Sequence, residues 1–175
     1  MIFRKTTEAD LAAVVQIFED ARRGMHKAGI PQWMDGYPAE ADIRADIENG
    51  YSYVLCEDDR IVATAAVLLS GEPTYTVIRD GAWLTDSADD NNTSYVAVHR
   101  VATAADVRGR GLASAILQNA ADIGRNHGKI SLRIDTHEMN LPMQRMLARN
   151  GLRYCGVITL QNGDLRNAYE KLLTE

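Results

Sequence analysis

The chain is 175 residues long, 46% hydrophobic and 25% charged, which suits one domain with a sizeable core and no need of disulfide or metal staples. Lys+Arg 19 against Asp+Glu 24 leaves a net charge of -5, which argues against a general nucleic-acid or anionic-membrane binder, because both need a positive field to meet phosphate. Cys56 and Cys155 are far apart and lack Cys-x-x-Cys spacing, so neither a zinc cluster nor a disulfide framework is suggested, and two free thiols suit a reducing cytoplasm.

Residues 2–6 read as a short first strand. Thr7-Glu8-Ala9-Asp10 follows as a capping-box-like start, with Thr7 placed to accept amides of the next turn. Leu11, Val14, Val15, Phe18 and Ala21 recur at helical spacing, which predicts a helix to about Arg23. Residues 24–38 read as irregular, broken by Gly29, Pro31, Gly36 and Pro38. A second helix is expected after Pro38, ending at Asn49-Gly50. Residues 51–56 and 61–69 are strand-like on either side of a four-residue turn and predict a hairpin. Residues 71–80 fit no one pattern, and the polar, acidic run 85–94 reads as an exposed loop, in which Asp86, Asp89 and Asp90 either draw a cationic acceptor together with Trp83 or, as the favoured reading, form a solvated charge run.

A valine-rich strand is expected over 95–103. A helix over 111–127 follows, with Leu112, Ile116, Ala120 and Ile123 facing inward and Ala113, Ala121 and Gly124 small enough for close packing on a sheet. Residues 129–136 predict another strand and 140–150 a short helix with Pro142 in its first turn and Gly151 as its stop. The last two strands flank Gln161-Asn162-Gly163-Asp164, where Asn-Gly is a hairpin signal strong enough to override the helical propensity of the final segment. The order βααβββαβαββ is that of a mixed α/β fold, expected as one domain over 1–175. The longest strongly apolar uncharged run, 61–69, is far short of the roughly 20 residues of a membrane-spanning helix.

Chemistry concentrates in His99-Arg100-Val101-Ala102-Thr103-Ala104-Ala105-Asp106-Val107-Arg108-Gly109-Arg110-Gly111-Leu112-Ala113, where a strand passes through a glycine turn straight into a helix. Helix N-termini present amides and a partial positive charge, glycines let a backbone approach an anion, and Arg108 and Arg110 add charge, which together make a phosphate cradle. The competing reading is a plain strand-to-helix turn with two solvated arginines. No third glycine of a dinucleotide fingerprint follows Gly109-x-Gly111, and no Gly-Lys-Ser/Thr of a Walker A loop does.

Arg108 to Ala113 matches the Arg/Gln-x-x-Gly-x-Gly/Ala signature, and with the element order and the later Asn140…Asn150-Gly151-Leu152 stretch the chain resembles the GCN5-related N-acetyltransferases (GNAT) over nearly its whole length. The phrases GIPQWMDGYP, HRVAT and RIDTHEMNLPMQRMLARNGL are similar to a bacterial branch of that family. The resemblance implies a predominantly antiparallel central sheet flanked by helices and acetyl-CoA as co-substrate. Amides from Arg108, Gly109, Arg110, Gly111, Leu112 and Ala113 would bind its pyrophosphate. The strand Val101-Ala102-Thr103 would pair with the pantetheine arm, which enters where the fourth and fifth strands splay, and Asn140 would bond the arm or cap its helix. The acceptor would be an amine of a small molecule or peptide, and a second copy of the chain is a partner that the resemblance allows.

His99, two residues before Val101 on the same strand, is the first candidate base, since an imidazole titrates near neutral pH; a structural histidine is the alternative. Glu138, beside His137 at the end of the fifth strand, is a weaker catalytic candidate. Gln32, Trp33 and Tyr37 lie where the family's acceptor loop falls, or else pin that loop to the core. Leu147 stands where many relatives carry a tyrosine that protonates the leaving thiolate, so Tyr154, Tyr169 or solvent would supply the acid. That replacement also admits a second reading, a silent acyl-CoA-binding module.

Overall fold

The computed structural model describes residues 1–85 and 94–173, so Asp86, Asp89 and Asp90 lie outside the described residues. In chain order the elements are β1 (Ile2–Lys5), α1 (Leu11–Lys27), α2 (Glu40–Glu48), β2 (Ser52–Glu57), β3 (Arg60–Leu68), β4 (Tyr95–Thr103), α3 (Leu112–Asn126), β5 (Ser131–Thr136), α4 (Leu141–Arg149), β6 (Arg153–Thr159) and β7 (Leu165–Leu172). The strands form a seven-stranded sheet in the order β1-β2-β3-β4-β5-β7-β6, mostly antiparallel, with β4 and β5 parallel. The order of helices and strands is the one expected from the sequence. Two compact units share this chain, Met1–Val67 with Arg100–Ile116, and Leu68–His99 with Leu117–Glu175.

In the first unit, β1 pairs with β2 and β2 with β3, each antiparallel. The turn before α1 is locked by Asp10, whose carboxylate accepts a bidentate pair from Arg4 at 2.7 and 3.0 Å and a bond from the Thr7 amide at 2.8 Å. The Thr7 hydroxyl donates to Asp10 at 2.8 Å rather than accepting a helix amide. The Arg4 pairing, opposed by burial, holds the Asp10 carboxyl well below the usual carboxylate range. Leu11, Val14, Ile17 and Phe18 form the buried stripe of α1. The helix does not stop near Arg23 but continues through Gly24 to Lys27. A Cβ at Gly24 would lie 2.8 Å from the Arg108 guanidinium, so the glycine that weakens the helix locally is the residue that seats Arg108 against it.

In the second unit, β5 pairs antiparallel with β7 and β7 with β6. The smallness of Gly124 has its use here, since a Cβ would come within 2.8 Å of Val96 and 2.9 Å of Leu173. Thr85, expected at the start of an exposed loop, is buried instead. The reason is a polar network in the core: Arg133 and Glu170 are both fully buried on neighbouring strands and paired at 2.9 Å. Glu170 also accepts from the amides of Leu84 and Thr85 and from the hydroxyls of Thr85 and Ser131. The Arg133 guanidinium donates to the Thr85 carbonyl at 2.9 Å and lies 4.1 Å from the Trp83 ring and 4.2 Å from the Tyr95 ring. Trp83 therefore closes over a cation from this chain.

Gly81 is under a tighter constraint than any helix glycine. A Cβ there would stand 2.0 Å from the Cys155 carbonyl oxygen, a backbone atom that cannot rotate away. Gly81→Ala should cost about 3 kcal/mol and lower the melting temperature by roughly 6–12 °C, read by calorimetry. An unchanged melting temperature would mean that the two segments do not meet this closely.

Candidate active site

Short-range sequence pattern carries the chain from β4 into the glycine turn, and the backbone there is unusual in two ways. Arg100 has φ +53°, a left-handed conformation for a long side chain inside a strand. Its guanidinium is held in that place by Asp46 of α2 at 2.6 and 2.7 Å and by the Tyr37 hydroxyl. Gly109 and Gly111 have φ +82° and +79°, and a Cβ built on either would meet nothing within 4 Å. The turn is thus exposed and open, as a cradle for an anion needs to be.

The two arginines of the turn are placed differently from the sequence-based expectation. Arg108 lies over Gly24 and donates to the Asp20 carbonyl at 3.2 Å. Arg110 forms a bidentate pair with Glu57 at 3.0 and 2.7 Å. The Arg110 charge is paired within the first unit, while Arg108 places one N–H on a neutral backbone carbonyl there. Ala102 and Leu112 are core residues at 5% and 3% exposure, so they can contribute backbone alone. Val101, Thr103 and Ala113 are half-buried. The parallel ladder between β4 and β5 covers Tyr95–Ser131, Val96–Leu132 and Ala97–Arg133, and stops there although both strands run on.

His99 lies just past that ladder and is half-buried. Its Nε2 is 3.1 Å from Glu72 Oε2 and its Nδ1 is 3.7 Å from Asp135 Oδ2. The Tyr75 hydroxyl donates to Asp135 Oδ2 at 2.7 Å, and the Tyr75 ring packs at 5.6 Å from the imidazole. Burial and the Asp135 carboxylate push the Tyr75 phenol well above its ordinary value. Burial pushes the Glu72 carboxyl upward, but His99 and the Thr74 amide and hydroxyl outweigh it and hold the group at about 2. Among the described residues no cluster of His, Cys, Asp and Glu is arranged to hold a metal ion.

Glu72, Tyr75 and Asp135 did not emerge from the sequence as site residues. Asp135 carried a signal, a carboxylate following the apolar Ile134 near the end of β5. Glu72-Pro73-Thr74 carried another, a side-chain acceptor before a proline at the start of a helical turn, which the 3-10 turn Pro73–Tyr75 realises.

A depressed carboxyl contributes stability that is fully present above its unfolded value and lost as pH falls through the folded one. For Glu72 this window runs from 4.5 down to about 2. The urea midpoint of the wild type should therefore fall across that window, and Glu72→Gln should lack this part of the fall. Parallel acid limbs would contradict the pairing.

The other candidates have neighbours of their own. Glu138 is exposed and its carbonyl accepts from Gln144 Nε2 at 2.6 Å. His137 accepts the Met139 amide on Nδ1 at 3.1 Å, and burial followed by nearby Arg166 lowers its pKa. Asn140 caps α4, accepting the Met143 amide at 3.2 Å. Trp33 packs edge-on against Phe18 at 5.6 Å, and Tyr37 is tied to Arg100. Both pin the loop that carries them, while Gln32 is half-buried on it. Leu147 is fully buried, so α4 offers no hydroxyl at that position.

The sequence matches the acetyltransferase (GNAT) family over residues 12–152. The chain belongs to that family. GNAT enzymes take their acetyl group from acetyl-CoA. A crystal structure of a GNAT-family acetyltransferase from Streptococcus agalactiae is 38% identical with a TM-score of 0.85, covering 98% of this chain and 94% of that one. A GNAT-family acetyltransferase from Listeria monocytogenes is 20% identical with a TM-score of 0.73, covering 98% of this chain and 94% of that one. The protein yncA from Salmonella typhimurium, solved with its cofactor acetyl-CoA, is 22% identical with a TM-score of 0.69, covering 100% of this chain and 95% of that one. The last two show the shared fold alone. No curated protein matches the chain. No helix among the described residues is long and apolar enough to cross a membrane.

Proposed function

We propose that this GNAT member moves an acetyl group from acetyl-CoA to a primary amine of a small molecule or peptide, by direct attack of the amine. We read the chain as one catalytic domain, since the family match runs without a break from residue 12 to 152. The observation that carries the proposal is His99, half-buried between two carboxylates on the strand that leads into the open glycine turn. When bound, acetyl-CoA supplies an activated acyl carbon and a thiolate leaving group.

The chain's own residues supply the rest. Backbone from Arg108 to Ala113 would receive the pyrophosphate, with Arg108 and Arg110 stiffening the turn through Asp20 and Glu57. Backbone of Val101 to Thr103 would align the pantetheine arm as an added strand. His99 would take the proton that the amine must lose before it can attack. Glu72 and Asp135 leave this spot negative, which favours an acceptor that arrives as an ammonium ion.

The direct test is thiol release from acetyl-CoA by the purified protein across polyamines, amino acids, aminoglycosides and peptides. Release with one class identifies the acceptor, and silence with all of them overturns the transfer. The cradle has its own test. Acetyl-CoA at about a hundred times its dissociation constant should stabilise the fold by roughly 2.7 kcal/mol, a rise of several degrees in melting temperature. Gly111→Val should lose that rise, because the added side chain fills the space in front of the turn. An undiminished rise would remove Gly111 from the site.

The full burial of Leu147 favours a second reading, an acyl-CoA-binding module without turnover, because the position that many relatives use for a proton donor is a core residue here. Thermal stabilisation by acetyl-CoA together with silence across the amine panel would select it.

A further inference from the structure

We infer that Glu72 is a positioning residue for His99: its Oε2 keeps the proton on Nε2, so that Nδ1 carries the lone pair that receives the proton of the attacking amine. The inference rests on the reading of His99 as the base and assigns the atoms that reading leaves open.

Three features of the second unit carry it. Nε2 is buried from solvent and makes no aligned hydrogen bond, while Glu72 Oε2 lies 3.1 Å away. An imidazole lone pair turned toward a carboxylate oxygen at that distance is repelled, and no water can intervene. A proton on Nε2 converts the same contact into an attraction. Second, the Glu72 carboxylate is oriented before it meets the imidazole. Its Oε1 accepts from the Thr74 amide at 3.1 Å and from the Thr74 hydroxyl at 2.9 Å, which turns Oε2 toward His99. The Glu72 amide in turn donates to the Tyr95 hydroxyl at 2.9 Å.

Third, the competing carboxylate is a poorer partner for a ring proton. Asp135 Oδ2 stands 3.7 Å from Nδ1, beyond hydrogen-bond reach, and already accepts the Tyr75 hydroxyl at 2.7 Å. Asp135 is placed to steady an imidazolium once it forms, without taking the Nδ1 position for itself. Since Nε2 is closed off, Nδ1 is the nitrogen left to take a proton from an amine. In the transfer, the ammonium first gives one proton to Nδ1, which passes it to solvent. The neutral amine nitrogen then forms the bond to the acyl carbon, its second proton moves to Nδ1, and the carbon–sulfur bond breaks. The proton then leaves Nδ1 for the departing sulfur or for solvent, which restores the neutral ring.

The test reads the tautomer and needs no acceptor. Long-range proton–nitrogen correlation spectra of 15N-labelled protein, on the neutral His99 ring, should show hydrogen on Nε2 in the wild type. Glu72→Gln should reverse this. The Thr74 amide can only donate, so the glutamine oxygen must face Thr74 and its NH2 must face Nε2. That nitrogen then becomes an acceptor and the proton moves to Nδ1. Hydrogen on Nδ1 in the wild type, or an unchanged Nε2 proton in Glu72→Gln, would overturn the assignment. A residue that only stabilised the fold would leave the tautomer unmoved. If the spectra behave as expected but His99→Gln retains full transfer, the base reading fails and the Glu72 pairing stands.

Discussion

Glu170→Ala should destabilise the protein by about 3–5 kcal/mol, lowering the melting temperature by roughly 6–20 °C. The carboxylate is fully buried and accepts from five groups: Arg133, Ser131, the Thr85 hydroxyl and the amides of Leu84 and Thr85. Its removal leaves a buried guanidinium between two aromatic rings and takes the acceptor from the amides of Leu84 and Thr85. The cost is that of stranding these groups, and not a measure of what the ion pair adds over an apolar core. Arg133→Met combined with Glu170→Leu should therefore recover a large part of the loss. Calorimetry on the two variants decides the matter. If the double variant is no better than Glu170→Ala, the burden lies in the orphaned amides of residues 84 and 85 rather than in the stranded cation.

The same network shows where sequence reading stops. Element order was legible because each signal is local: valine-rich runs for β4, a 3.6-residue stripe for α1 and α3, Asn-Gly between β6 and β7. Thr85 looked like the first residue of a polar loop, and nothing within ten residues of it says otherwise. Its partners, Arg133 and Glu170, are on β5 and β7, and β7 meets β5 only because the chain crosses the sheet out of sequence. The end of α1 illustrates the same limit. Gly24 has a local meaning, a weak helix position, and a long-range one, space for Arg108, and the second prevails.

The candidate site divides along this line. The strand, the glycine turn and the helix after it are contiguous and were readable as one motif. The destination of a side chain within it was not: Arg108 and Arg110 read as free cations in the sequence, yet each is turned to a partner more than fifty positions away. His99 was singled out from its place on β4, whereas Glu72 and Asp135 reach it from segments on either side in the chain. Glu72 stands in a stretch with no clear period, where the acceptor-before-proline start marks only a three-residue 3-10 turn and says nothing of His99.

The largest functional effect should come from His99→Gln, which lowers kcat/KM for transfer on the order of 10²–10⁴-fold. Glutamine keeps a polar group of similar reach but cannot take a proton at neutral pH, so the loss isolates proton transfer from shape. The turn at Gly109 and Gly111 is untouched, and acetyl-CoA should raise the melting temperature of the variant as much as that of the wild type. The expected result is thus a fall in kcat with binding of the co-substrate preserved. Raising the pH should restore part of the rate, because a larger share of the amine then arrives already neutral and the base matters less. A variant that loses stabilisation by acetyl-CoA along with activity would place His99 in binding, and full activity in the variant would leave deprotonation to solvent.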